Sequence, residues 1–168
     1  VYENPIQKNA GLDVYETPQK DHNYLITVDV ARGLGNDYSA FIVFDITNFP
    51  YKAVAKYRNN EIKPMLFPSI IADIGKAYNK AFILCEVNDI GDQVASILNY
   101  DLEYDNLLMC SQRGRAGQVV GAGFSGKRSQ LGVRTTAAVK KLGCSNLKTL
   151  LEDDCLLYTS DAADEPLC

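Results

Sequence analysis

The sequence predicts an α/β protein with a mixed sheet, in which an antiparallel three-stranded meander is joined by parallel strands and flanked by helices. Three β-branched and aromatic runs stand close together at residues 24–30, 38–46 and 52–58. A fourth apolar run, at 81–87, stands between two segments of helical periodicity. The connections among the first three runs are too short to cross over a sheet, so they predict antiparallel pairing and exclude a doubly wound parallel sheet.

The first helix and the fourth strand are predicted from contrasting patterns. Apolar residues between 67 and 78 recur at spacings of three and four, with Pro64 and Pro68 at the start. This pattern predicts an amphipathic helix that covers one face of the sheet. Residues 81–87 read Ala-Phe-Ile-Leu-Cys-Glu-Val, a continuous apolar run that predicts a central strand buried on both faces.

The later elements are predicted from caps and breaks. Asn88 or Asp89 can cap a helix that follows the fourth strand. Gly143 and Ser145 predict that one helix stops and another begins near the end of the chain. The remaining predicted elements are, in order, a helix at 91–98, a strand at 106–110, and helices at about 130–142 and 145–152.

Composition bounds the chemistry. The 168 residues are 46% hydrophobic and 23% charged, which is ordinary for one soluble domain, and no run of about 18 apolar residues predicts a membrane span. The five cysteines are widely spaced without a C-x-x-C pair, so they are expected to be buried small hydrophobes. His22 is the only histidine, which argues against Ser-His-Asp and Cys-His catalysis. Chemistry is left to carboxylates, lysines and tyrosines.

Both ends of the chain are expected to lie outside the domain. Residues 1–21 contain a near repeat, Val-Tyr-Glu-Asn-Pro and Val-Tyr-Glu-Thr-Pro, and are predicted to be a lead-in from a missing upstream domain. Residues 155–165 resemble the translation of a transposase adapter used to prepare sequencing libraries, so 155–168 is expected to be a non-native tail. The tail holds three acids and no Lys or Arg, so the net charge of -4 becomes -4 + 3 = -1 without it. The predicted domain is therefore 22–154, incomplete at its C-terminus.

Two acids stand inside apolar strands. Asp29 lies in the first run and Glu86 in the fourth. An ionised carboxylate there is costly unless a cation or another partner neutralises it. Neighbouring strands lie about 4.8 Å apart, so the two acids can converge, and Mg²⁺ commonly takes one or two carboxylates together with substrate phosphates. The residues alone leave a second interpretation open, in which Asp29 pairs with Arg32 or caps a turn and Glu86 only ends its strand.

Four segments together resemble a known family: TVDVARGLGNDYSAF at 27–41, ILCEVNDIGDQVA at 83–95, SQRGRAGQVVGAGFSGKRSQLGVRTT at 111–136 and KKLGCSNLK at 140–148. They resemble the nuclease domain of the large terminase subunit of T4-like tailed phages, which has a ribonuclease H-like fold. The resemblance covers nearly all of residues 12–154. It implies a metal-dependent endonuclease of a viral DNA-packaging terminase, which cuts concatemeric double-stranded phage DNA by two-metal hydrolysis with Mg²⁺ or Mn²⁺.

The resemblance also implies site residues. Asp29 and Glu86 resemble the first two catalytic metal ligands of the family, and Asp37 resembles an additional acid near the metal site. The family's third catalytic acid is expected after one more strand beyond the last helix. That position falls beyond residue 154, so we expect an incomplete site in this chain and impaired activity.

A basic, glycine-rich segment is the predicted DNA-binding surface. Cations beside glycines let guanidinium groups and backbone amides approach phosphates without reading bases. A solvated loop with ordinary surface charge is the alternative. The predicted DNA contacts are Arg113, Arg115, Lys127, Arg128 and Arg134, with Lys140 and Lys141 on the following helix.

By the same resemblance, the partners are double-stranded DNA, an upstream terminase ATPase domain, the portal and the small terminase subunit. No membrane partner is implied, and the expected location is the host cytoplasm during infection. The alternative function is a catalytically incomplete ribonuclease H-like module that binds DNA or docks on packaging proteins. A junction resolvase is a minor third possibility, because it would share the acids.

Overall fold

A mixed sheet forms the body of the molecule. The structure is a computed structural model that describes residues 4–112, 118–121, 129–153 and 155–157. The strands are β1 (Gln7–Asn9), β2 (Leu12–Val14), β3 (Tyr24–Asp29), β4 (Ser39–Asp45), β5 (Tyr51–Asn59), β6 (Phe82–Cys85), β7 (Met109–Gln112), β8 (Gln118–Gly121), β9 (Ser129–Leu131) and β10 (Leu156–Leu157). The helices are α1 (Phe67–Ala77), α2 (Gly91–Ser96) and α3 (Ala137–Glu152), and a π-helical turn at Ile97–Asp101 extends α2.

The strand order confirms the predicted fold class. Six strands follow one another as β1-β2-β5-β4-β3-β6. β3, β4 and β5 pair antiparallel as the predicted meander, and β6 pairs with β3 in parallel. Helices flank this sheet, and β7, β8 and β9 form a small separate antiparallel sheet. The predicted strand at 106–110 therefore begins three residues later, at Met109, and belongs to this second sheet.

The core lies between one face of the sheet and α1 and α2. Ile26 on β3 and Val43 on β4 are fully buried on this face. Phe41, Tyr57 and Phe67 form an aromatic cluster with ring centroids 5.1 to 6.1 Å apart, which joins β4, β5 and α1. Such contacts stabilise the pairing beyond the buried area alone, so the meander and the first helix form one unit.

β6 was predicted to be a central strand buried on both faces, and this prediction is wrong. β6 ends the strand order, and its residues alternate between half-buried and buried. Its outer edge carries isolated bridges to Leu107 and Val133 in place of a full strand. The continuous apolar run therefore corresponds to a strand with one buried face, whose other face carries apolar residues that are only half-buried.

α3 corrects the prediction of two helices at 130–142 and 145–152. It is one helix that runs through Gly143, since a single glycine costs a helix only about 1 kcal/mol relative to alanine. It begins after Thr136, whose side-chain oxygen accepts a hydrogen bond from the Val139 amide at 3.3 Å. The preceding residues, Ser129–Leu131, are the strand β9.

The two ends of the described chain also join the sheet. β1 and β2 form a hairpin whose second strand pairs with β5, so residues 7–14 belong to the sheet and do not form a linker. β10 pairs in parallel with the first residues of β5. The prediction of an upstream domain before the lead-in and of a non-native tail after residue 154 stays a prediction.

The described cysteines differ in burial. Cys85 and Cys110 are buried as predicted, whereas Cys144 is exposed on α3, which contradicts the prediction for that residue. The described cysteines Cys85, Cys110, Cys144 and Cys155 are free thiols. In the part of the chain that the structure describes, no helix combines the length and apolar character needed to cross a membrane.

Candidate metal centre

The parallel pairing of β3 with β6 brings Asp29 and Glu86 side by side. Val28 pairs with Cys85, and the Glu86 amide donates a hydrogen bond to the Val28 carbonyl at 2.9 Å. The next residue on each strand is the acid. Because paired residues in a sheet share a face, both carboxylates project from the face opposite the buried Val28 and Cys85. The prediction that these two acids meet at neighbouring strand ends is reproduced by the backbone register.

Two glycines let other segments approach the backbone that carries Glu86. A Cβ atom at Gly91, the first residue of α2, would overlap the Glu86 carbonyl oxygen. A Cβ atom at Gly132 would overlap the Cys85 carbonyl oxygen, and its φ of +72° also favours glycine. The Glu86 backbone is therefore enclosed on two sides by close contacts that only glycine permits.

Asn88 ties the turn after Glu86 to the segment before α3. Its side-chain amide donates to the Thr135 carbonyl at 2.8 Å, and its side-chain oxygen accepts from the Thr135 amide at 3.0 Å. Val133, two residues earlier, bridges to Glu86. Asn88 was predicted as a possible cap of α2, but α2 begins after Ile90 without a side-chain cap. The Asn88 side chain instead extends the contact between the segment after β6 and the segment before α3.

The pair of acids perturbs the ionisation of Asp29. Its side chain borders the cavity, yet the surrounding protein desolvates the carboxylate, and this desolvation is the largest cause that raises its pKa from 3.8 to about 6. A hydrogen bond with Glu86 and the charge of Glu86 raise the pKa further, and the charge of Asp37 adds a smaller contribution. Two carboxyl groups can share a hydrogen bond only if one holds a proton. Ionising both carboxylates is therefore unfavourable at this position, and a cation between them would offset the cost.

A cavity of about 400 Å³ opens over Asp29. Asp37 and Asp89 also line it. Arg32 lines the cavity too. It does not pair with Asp29, as the alternative interpretation proposed. Its Nε and one terminal nitrogen donate hydrogen bonds to the two carboxylate oxygens of Asp89 at 2.8 and 2.7 Å. Asp89 was the other predicted cap of α2, and its carboxylate binds Arg32 instead. This ion pair was missed from sequence, although each partner stands three residues after one of the acids.

The donor set fits a hard divalent cation held by few protein ligands. Mg²⁺ accepts one or two carboxylates and fills its remaining positions with water and substrate oxygens. Asp29 and Glu86 supply two carboxylates, and Asp37 lines the cavity together with Asp29. Among the described residues, no three His, Cys, Asp or Glu side chains form a group that could hold a metal. The described residues therefore provide a partial shell that solvent and substrate would complete.

The predicted DNA-binding residues divide into two groups. Arg134 is exposed and directly follows Val133, whose backbone bridges to Glu86, so it lies in the segment beside the acids. Lys140 and Lys141 are exposed on α3. Arg113, Arg115, Lys127 and Arg128 lie outside the described residues.

Comparison with known proteins shows the family of this chain and supports its fold. The sequence model of the family described as the terminase RNaseH-like domain matches residues 26–165. The chain belongs to this family, as the sequence predicted, while its placement among T4-like phages stays a prediction.

Solved structures agree on the fold. The large terminase nuclease from thermophilic phage G20c with bound magnesium superposes with a TM-score of 0.71 at 18% identity, over 97% of this chain and 71% of that one. The same nuclease with bound zinc gives a TM-score of 0.69 at 20% identity, over 97% and 78%. The large terminase nuclease domain of Thermus phage P74-26 gives 0.66 at 20% identity, over 97% and 70%.

Proposed function

We propose that the chain is the metal-dependent endonuclease domain of a viral DNA-packaging terminase, which cuts concatemeric double-stranded DNA by phosphodiester hydrolysis. The observation that carries the proposal is the adjacent pair Asp29 and Glu86, in register on two parallel strands, in a chain that belongs to the terminase RNaseH-like family. The related phage nuclease has been solved with bound magnesium, cobalt and zinc, which supports a divalent-metal requirement.

Asp29 and Glu86 would hold the metal, Mg²⁺ or Mn²⁺. When bound, a pair of such ions activates a water and stabilises the leaving oxygen of the phosphodiester. The chain's own residues prepare this chemistry. The β3–β6 pairing fixes both carboxylates, the close contacts at Gly91 and Gly132 hold the Glu86 backbone, and Asp37 adds negative charge at the cavity. Arg134 lies in the segment beside Glu86 and would contact the DNA backbone, together with the predicted basic residues upstream.

The physiological partners follow from the same proposal. The domain would act on double-stranded DNA in the host cytoplasm, joined to an upstream terminase ATPase domain and working with the portal and the small terminase subunit. These assignments rest on family membership.

Cleavage of circular double-stranded DNA tests the activity. The chain should nick or linearise a plasmid with Mg²⁺ or Mn²⁺ and not with EDTA, at the impaired rate expected when only two of the acids come together among the described residues. Asp29→Asn and Glu86→Gln should each lower the rate at least about 100-fold, since each removes a ligand worth several kcal/mol of transition-state stabilisation. Asp105→Asn is the matched control, because Asp105 is an exposed acid that pairs with Lys80 beyond the start of β6. Metal-dependent cutting that survives Asp29→Asn would refute the assignment.

A second candidate is a catalytically incomplete module that binds DNA. The observation in its favour is that the described residues bring two acids together and not three. In this case the chain would bind duplex DNA in a salt-dependent way, and no divalent metal would produce cleavage above the Asp29→Asn background.

A further inference from the structure

The ion pair between Arg32 and Asp89 lies at the exposed edge, here called the rim, of the cavity that opens over Asp29. Arg32 stands three residues after Asp29, and Asp89 stands three residues after Glu86. Two parallel hydrogen bonds of 2.8 and 2.7 Å join the guanidinium to the carboxylate, and both residues line the cavity. The pair therefore connects the two segments that leave the metal-binding strands.

The pair is easy to open. The side chains of Arg32 and Asp89 are 65% and 60% exposed. Exposed ion pairs contribute little to stability, because water and salt compete for both charges. The two-pronged geometry that a guanidinium offers a carboxylate is also the one it offers a phosphate. A phosphate near the rim could therefore replace Asp89 at little cost.

The negative charge around the cavity favours such an exchange. Asp29, Asp37 and Asp89 line it, and Arg32 is the one cation among the described residues that do so. A DNA strand brought to Asp29 carries its own negative charges into this acidic surface. While Arg32 is paired with Asp89 its charge is neutralised, and once released it can face the strand.

We propose that Arg32 is a phosphate-binding residue, and that it exchanges Asp89 for a DNA backbone phosphate when the strand enters the cavity. Asp89 holds the guanidinium at the rim until then. The inference deepens the proposed nuclease function and rests on it for the identity of the ligand as DNA.

Binding of a labelled DNA duplex to the purified full chain, measured by fluorescence anisotropy, tests the exchange. Ca²⁺ replaces Mg²⁺, since its looser coordination suits binding better than catalysis. Arg32→Ala should weaken binding about tenfold, because one charge-assisted contact is lost. Its salt dependence should also fall by about 0.9 in slope, the value for one phosphate. Arg32→Lys should recover part of the affinity, since it keeps the charge and loses the fork.

Asp89 supplies the discriminating variant. Asp89→Asn should tighten binding by up to about fivefold, because the guanidinium no longer has to leave a carboxylate. That gain should disappear when Arg32→Ala is also present, since Asp89 acts through Arg32. Lys80→Ala and Asp105→Asn are the matched controls: this exposed ion pair lies beyond the other end of β6, with Nζ and Oδ2 3.4 Å apart, and each change should alter affinity less than about twofold.

Four outcomes would overturn the inference. Arg32→Ala could bind like Lys80→Ala. Asp89→Asn could weaken binding as Arg32→Ala does, which would make the pair a structural clamp. The gain from Asp89→Asn could persist without Arg32, which would make it general repulsion. The unaltered chain could also show no affinity for DNA.

The nuclease proposal fails separately. It fails if Mg²⁺ produces no cleavage, whatever Arg32 does to binding. The exchange fails if binding is unchanged in Arg32→Ala while cleavage by the unaltered chain proceeds.

Discussion

Asp29→Asn should make the metal-free protein more stable although it removes a proposed metal ligand. Desolvation and the neighbouring Glu86 raise the pKa of Asp29 from 3.8 to about 6, so the folded state disfavours its ionised form. At about 1.36 kcal/mol per pKa unit, this difference corresponds to roughly 3 kcal/mol. The side chain still borders solvent, which screens the interaction, so we expect a gain of about 1–2 kcal/mol. An asparagine can also donate a hydrogen bond to Glu86 where the acid needs a proton.

The sign of the pH dependence follows from the raised pKa. Below about pH 4, Asp29 is protonated in both the folded and the unfolded state, so it imposes no penalty. As the pH rises through about 4 to 6, the unfolded chain releases the proton first, and stability falls. The penalty is complete above about pH 6. The advantage of Asp29→Asn should therefore be largest near neutral pH and vanish near pH 4.

Urea unfolding followed by circular dichroism, at about pH 7 and about pH 4 without divalent metal, measures this difference. Asp37→Asn is the matched control, because Asp37 is exposed and is the smallest of the named causes; its effect should stay within about 0.5 kcal/mol. Added Mg²⁺ should stabilise the unaltered chain more than Asp29→Asn, since in the proposed function it binds the folded state through this carboxylate. A variant that is no more stable at neutral pH, or equally favoured at both pH values, would contradict the argument.

Two further predictions concern the glycine that packs against Glu86 and the hydrogen-bonded acid that ends β4. Gly91→Ala should destabilise the fold by about 1–3 kcal/mol, because its methyl group would overlap the Glu86 carbonyl. Gly143→Ala is the control: its methyl group meets no atom within 4 Å, so it should be neutral or stabilising by up to about 1 kcal/mol. Thermal unfolding compares the two variants, and an equal loss of stability in both would contradict the contact at Gly91. Asp45→Asn should lower the free energy of unfolding by about 1–3 kcal/mol near neutral pH. Burial tends to raise the pKa of Asp45, but hydrogen bonds from Thr47 and His22 outweigh burial and hold that pKa below its ordinary value. The loss of stability should shrink below about pH 4, where the carboxyl of the unfolded chain is protonated, and a loss that does not change with pH in urea unfolding would count against this reasoning.

The meander and the acids were readable from sequence because local patterns determine them. The β-branched runs predicted β3, β4 and β5 within one or two residues, and α1 followed its periodicity. Asp29 and Glu86 stood out because a carboxylate interrupts an apolar run. That the two acids can converge was also predicted, since both were placed in strands of one sheet, although the residues alone left a structural role for each acid open.

What failed depends on contacts between distant segments. Asn88 and Asp89 read as helix caps, but their partners are Thr135 and Arg32, which local sequence cannot reveal. β6 read as a central strand because the pattern records apolar character and not the number of neighbouring strands. α3 read as two helices because a glycine is a stop signal on average, while a single one can remain within a helix.

In the proposed function, the residues that would hold the metal are separate from those that would hold the DNA. Asp29 and Glu86 stand at the ends of a continuous hydrogen-bonded ladder, so their positions depend on the stability of the sheet. Arg32 and Asp89 stand three residues further on, in connecting segments, and their exposed ion pair can open without disturbing that ladder. Changes that weaken the sheet should therefore lower metal affinity, whereas changes at Arg32 and Asp89 should alter DNA affinity and leave metal affinity nearly unchanged. A fixed pair of acids beside a rim that can rearrange would suit the proposed nuclease, which has to admit a duplex before it cuts.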